Sequence, residues 1–182
     1  MQLAMGVQSI SGLPNPAMTS FSGPEALERA FESHHALVFR AAFRVTGNAA
    51  DAEDVLQTVF LRLAGRDASA EGVENIEGYL RRAAVNASLN LLEQRSRKNV
   101  PLENAPEPHA RTDQRDLREV LRLAMAKLGG RTAEMFALRF LEGHSNGEIA
   151  DMFGVSTLVV AVTLHRARKQ LQKEIKVLGG LR

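Results

Sequence analysis

Residues 145–171 read SNGEIADMFGVSTLVVAVTLHRARKQL, and this stretch decides the fold. Ser145 and Glu148 have the spacing of a capping box, in which a hydroxyl and a carboxylate satisfy the orphan amides of a helix start. The short helix they open stops at Gly154, and Ser156 caps another whose apolar positions Val160, Leu164, Ala167 and Leu171 share one face. Two capped helices around a glycine turn have helix-turn-helix spacing. Arg166, Arg168, Lys169, Lys173 and Lys176 follow on the second helix, where cations can neutralise phosphates and gain by counterion release. They equally suit a solvated helix end, so DNA binding and an ordinary helix pair both remain open on this stretch alone.

Upstream, Leu117, Val120, Leu121, Ala124 and Leu128 mark a helix ending at Gly129-Gly130, and residues 132–141 make another, closed by Gly143. Pro101, Pro106 and Pro108 break every period between 99 and 113, which reads as a flexible linker. Before it, Ser22 and Glu25 fit a second capping box. Leu27, Phe31, Val38, Ala42 and Val45 then give one face of a helix to about Thr46. Asn48 restarts the chain as a cap, with Asp51 in the first turn and Val55, Val59 and Leu63 as the next stripe, Leu56 and Phe60 beside it. Residues 65–75 read as a loop, and a third helix over about 76–97 should bury Leu80, Ala84 and Leu91. Residues 1–21 carry no charge and no apolar period and are read as a disordered tail. No alternating strand pattern appears. The expected fold is all-α: a three-helix module over 22–98, the linker 99–113, and a four-helix module with the helix-turn-helix over 114–178.

Composition narrows the chemistry. The 182 residues are 45% hydrophobic and 24% charged, a globular balance, and the absence of cysteine excludes a disulfide scaffold and a thiolate metal site. The formal charge of +2 says little, but residues 75–98 and 162–182 are two separate basic zones. The longest unbroken apolar run, 158–162, is far short of the roughly 20 residues that cross a bilayer. The first Lys or Arg is Arg29, so no secretory leader is read, and a cytoplasmic chain without membrane insertion is expected. A metal-dependent enzyme would have to be built on Glu32-x-x-His35. Di-iron bundles use that spacing twice, and His109, His144 and His165 make no second copy. Asp51, Glu53 and Asp54 suit the dipole at a helix start. With no Ser/His/Asp set, P-loop or glycine-rich dinucleotide turn, no catalytic residue, metal or cofactor is assigned.

Residues 27–63, LERAFESHHALVFRAAFRVTGNAADAEDVLQTVFLRL, resemble the first module of the extracytoplasmic-function sigma factors of bacterial RNA polymerase. Residues 76–98, IEGYLRRAAVNASLNLLEQRSRK, resemble the helix with which that family engages the minus-ten element. Residues 117–171, containing LRFLEGHSNGEIADMFGVS and LHRARKQL, resemble its carboxy-terminal promoter-binding module. The resemblance implies a factor that binds core polymerase and directs promoter recognition and transcription initiation. Asp51, Glu53, Asp54, Gln57 and Phe60 match the segment that docks on the clamp helices of the largest subunit, and the polymerase flap is a further contact. Asn86 and the 65–75 loop match base-capturing parts, Arg81, Arg82, Arg95, Arg97 and Lys98 could hold phosphates, and Tyr79 stands where the family usually has Trp. In the carboxy-terminal module, Ser156, Thr157, Leu158, Ala161, Val162, His165, Arg166, Arg168 and Lys169 fall where minus-thirty-five DNA would lie. Promoter DNA and core polymerase are the implied partners, and an anti-sigma factor is compatible with them.

Two departures stand out. Where the family commonly reads Gly-Thr-Val-Lys-Ser-Arg, this chain has Leu158-Val-Val-Ala-Val-Thr163, which keeps only the inward Val160. Apolar side chains can touch thymine methyls but supply neither bidentate guanine contacts nor charge. Leu128-Gly-Gly-Arg131 likewise replaces the usual Leu-Pro-Pro-Arg. The rival implied by the first departure is a sigma-like regulator whose apolar last helix binds a protein partner without promoter activity.

Overall fold

Asn48 makes the first corner of the chain. Its side-chain oxygen accepts from the amides of Ala50 at 2.9 Å and Asp51 at 3.4 Å, so α1 (Pro24–Thr46) ends and α2 (Ala49–Ala64) begins across only Gly47 and Asn48. Gly47 has φ +65°, a left-handed conformation that favours glycine, and the Arg122 guanidinium lies where a Cβ would project, so a side chain here would also displace Arg122. The computed structural model describes residues 24–65, 75–98 and 114–178. The expectations for the 1–21 tail, the Ser22 cap, most of the 65–75 loop and the 99–113 linker lie outside those residues.

The described residues form helices throughout: α3 (Ile76–Lys98), α4 (Gln114–Ala126), α5 (Gly130–Phe140), α6 (Asn146–Phe153) and α7 (Thr157–Leu178) follow, with no strand among them. The predicted α2 stripe of Val55, Val59 and Leu63 is buried, and so is the predicted α7 stripe of Val160, Leu164, Ala167 and Leu171. Three readings need correction. Phe31 is 45% exposed because the inner face of α1 runs through Ala30, Val38, Ala41 and Ala42. Near the end of α3, Leu92 is buried and the expected Leu91, one position before it, is only partly so. Leu117 is exposed near the start of α4, while Ala124 and Met125 carry that helix's burial.

The larger finding concerns α3. It packs on α1 and α2 with Leu80, Ala84 and Ala87, and on α4 and α5 with Val85, Leu89 and Leu92. Apolar residues therefore occupy both sides of the helix, and Val45, Val85, Leu89 and Leu92 of the first module share one core with Met125, Leu128, Met135 and Ile149 of the second. The two modules meet across a common helix.

Candidate polymerase- and DNA-binding surfaces

The solvent side of α2 carries Glu53, Asp54, Gln57 and Leu61, all exposed, with Leu61 at 72%. Below them Phe60 is buried, and Phe31 meets its edge at a ring-centroid distance of 5.0 Å. Leu27, Phe31, Gln57, Phe60 and Leu61 border an apolar groove of about 460 Å³. Leu61 was missed from the sequence; its signal is an apolar residue outside the Val55/Val59/Leu63 stripe. Asp51 does not share this surface. It is buried at the start of α2, with both carboxylate oxygens bonded by Arg95 of α3. A buried carboxylate is tolerated when a bidentate guanidinium holds it, so this pair fixes the α2–α3 angle under the exposed face.

The basic face of α3 is occupied. Arg81 donates to Glu77 at 2.6 Å and to Glu142 at 3.1 Å, and Arg82 donates to Glu134 at 2.8 Å and to the Met152 carbonyl at 2.6 Å. Burial weighs against the charge of Arg81, but the hydrogen bonds it donates to Glu77 and Glu142 outweigh it and hold its pKa above the usual arginine value. Accepting the hydrogen bond from Arg81 draws Glu77 below the ordinary carboxylate range. Asn86 is exposed and accepts from Asn90 at 3.2 Å, on a cleft it shares with Arg82, Arg131 and Phe153. Arg97 pairs with Glu93 at 2.7 Å, and Lys98 closes α3. Arg95, Arg97 and Lys98 thus lie at the far end of the helix from Arg81 and Arg82.

The helix-turn-helix is built as its spacing predicts. Ser145 and Glu148 form the capping box, Gly154 closes α6 at φ 61° in the left-handed region, and α6 and α7 meet at 106°. Accepting the Ser145 amide at 2.7 Å holds the Glu148 carboxyl below its ordinary pKa. Ser156 Oγ accepts from the Val159 amide at 3.4 Å at the start of α7. Thr157, Leu158, Val159, Ala161, Val162, His165, Arg166 and Lys169 then face solvent, with Leu158 71% and Val162 41% exposed. Thr163 is partly buried, and Arg168 lies 4.6 Å over the Phe140 ring, holding α7 against α5.

His35 has a local role: its ring nitrogen bonds the Phe31 carbonyl at 3.0 Å, and the ring stacks on Phe31. Among the described residues no group of three or more His, Asp or Glu could hold a metal ion, and no single helix is long and apolar enough to cross a membrane.

Residues 30–98 match the family Sigma-70 region 2, and residues 118–171 match Sigma-70, region 4. The chain is 32% identical over 140 residues to the RNA polymerase sigma-E factor of Streptomyces coelicolor, spanning 76% of this chain and 79% of that one. It is 31% identical over 150 residues to the ECF RNA polymerase sigma factor SigE of Mycolicibacterium smegmatis, spanning 76% of this chain and 57% of the other. Among solved structures, the sigma factor RpoE of Bartonella quintana, in complex with the anti-sigma factor NepR, matches with a TM-score of 0.51 at 20% identity. That likeness spans 84% of this chain and 98% of that one and concerns the fold. With the two sigma regions in order, and at this identity to curated relatives, the chain belongs to the extracytoplasmic-function family of RNA polymerase sigma factors.

Proposed function

We propose that the chain binds core RNA polymerase through the exposed side of α2 and directs it to a subset of promoters, with no bond-making chemistry of its own. The observation that carries this reading is the α2 surface: Glu53, Asp54 and Gln57 stand beside Leu61 over an apolar groove that none of the described helices fills. Charge at the rim steers encounter and the apolar centre holds, the usual division in a protein interface. The expected partner is the clamp helices of the largest subunit, with Asp51 and Phe60 supporting the face from beneath. The flap is expected to meet the carboxy-terminal module. Asn86 would receive an unstacked minus-ten base, and Arg81, Arg82, Arg95, Arg97 and Lys98 would hold phosphates. Ser156, Thr157, Leu158, Ala161, Val162, His165, Arg166, Arg168 and Lys169 would lie along minus-thirty-five DNA, mostly through phosphates. The cytoplasm, where polymerase works, is the fitting compartment. An anti-sigma factor is a fitting antagonist, as NepR is for RpoE.

Transcription in vitro with core polymerase and a genomic promoter library tests this. Discrete start sites absent with core alone are expected. Asp54→Lys with Gln57→Ala should abolish them and weaken core binding about tenfold or more, while stability moves by under about 0.5 kcal/mol because both positions are exposed. Unchanged affinity for core in a pull-down titration would count against the α2 surface.

A second reading rests on the exposure of Leu158, Val159 and Val162, which suits a protein partner as well as DNA. On that reading the chain regulates through α7 contacts and yields no transcripts in the same assay.

A further inference from the structure

The apolar groove on α2 is lined by Phe60 and Leu61 and by Leu27 and Phe31 of α1, with Glu28 and Gln57 at its polar edge. At about 460 Å³ it falls in the range of sites that enclose a ligand. Phe31 and Leu61 are both exposed there, so two large apolar side chains meet water on one face.

The chain carries a segment suited to cover that face. Residues 1–23 lead directly into α1, whose first two turns line the groove. Ten extended residues reach about 33 Å, whereas Phe31 lies about 10 Å along α1 from Pro24, so the segment has length to spare for turning back onto the groove. Its composition also fits. Residues 1–23 contain no Lys, Arg, Asp or Glu, and they carry Leu3, Met5, Val7, Ile10, Leu13 and Phe21. The stretch 66–74, which follows the groove's Ala64 closely, holds instead Asp67, Glu71 and Glu74, and 99–113 holds Glu103, Glu107 and Asp113. Burying an unpaired carboxylate against apolar side chains is costly, which favours the uncharged segment. We propose that residues 1–21 occupy this groove in the free chain and hold off core polymerase until they are displaced, a proposal that rests on the reading of α2 as the polymerase face. A short tether keeps its end at an effective concentration on the order of millimolar, so a weak apolar contact is enough to keep the groove mostly filled. Polymerase then binds with its affinity reduced by the fraction of grooves that are empty.

The chain lacks cysteine, so Ser9→Cys supplies one thiol for a nitroxide label, and amide NMR reads which residues the label broadens. Broadening at Leu27, Phe31 and Leu61 is expected, with none at Leu158 or Val162. In a mixture of labelled chain and isotope-enriched unlabelled chain these amides should stay sharp. Broadening there would mean that a second copy fills the groove and would overturn the proposal. Removing residues 1–21, which keeps Ser22 ahead of α1, should tighten core binding about tenfold in a pull-down titration, the factor for about nine-tenths occupancy. The gain should persist as salt is raised, because a contact without charge is not screened. Val7→Asp with Ile10→Asp in the full chain should act in the same direction, and circular dichroism checks that each variant is folded. Unchanged core affinity in both variants overturns the proposal, whether or not the label broadens the groove. The α2 reading survives that result if Asp54→Lys with Gln57→Ala weakens core binding of the shortened chain. If that pair has no effect there, both readings fall.

Discussion

Glu142 and Glu148 stand on either side of one turn and serve opposite ends. Glu142 is sealed between two guanidinium groups of the other module, while Glu148 faces solvent and caps α6 through the Ser145 amide. Because the folded state lowers the Glu148 pKa, the cap contributes stability that is fully present above the unfolded carboxylate pKa and is lost as pH falls through the lower, folded one. Glu148→Gln keeps an oxygen for the Ser145 amide but removes the titration. The melting-temperature difference between parent and Glu148→Gln, followed from neutral pH into acid, should therefore be largest at neutral pH and shrink through the carboxylate range. A difference that stays constant would mean that the charge of Glu148 contributes nothing to the cap.

The α7 helix shows how far pattern reading reaches. Its buried stripe, its cap and its turn were all legible because each depends on neighbours close in sequence. Its outward apolar face was legible too, as residues left over once the stripe was assigned. With Ala161 and Thr163 where the family has Lys and Arg, the proposed reading leaves DNA contact on this helix to the exposed Arg166 and Lys169, one turn on. The full chain should bind duplex DNA weakly, with little discrimination among minus-thirty-five sequences. Ala161→Lys with Thr163→Arg should strengthen binding and steepen the logarithmic salt slope by about one unit for each further phosphate that is neutralised. Anisotropy titrations at several salt concentrations, with matched and scrambled duplexes, measure both quantities, and selective tight binding by the parent would show that Leu158 and Val162 read bases. In α3 the reading was incomplete. Leu80 and Ala84 were found as one stripe, but Val85, Leu89 and Leu92 form a second, and a helix apolar on two sides has no single period to detect. Glu134, Glu142 and Arg44 were invisible for a different reason: their partners lie far away in sequence, and nothing local marks them.

Because α3 belongs to two cores, the modules should unfold together. Tyr79, the only tyrosine in a chain without tryptophan, packs against the amino-terminal core, so its fluorescence follows that module while far-UV circular dichroism follows every helix. The two denaturation curves should superimpose in the parent and separate in Glu134→Gln with Glu142→Gln. Curves already separate in the parent would show that the shared helix does not couple the modules.

The second stripe of α3 also bears on how long the protein survives. When the modules part without polymerase to receive them, Val85, Leu89 and Leu92 face water as an apolar ribbon beside a newly uncovered α5. Proteases act on the population that is open. Parting of the modules would therefore set the turnover of the chain, so that molecules whose α3 ribbon stays uncovered are the first to be degraded.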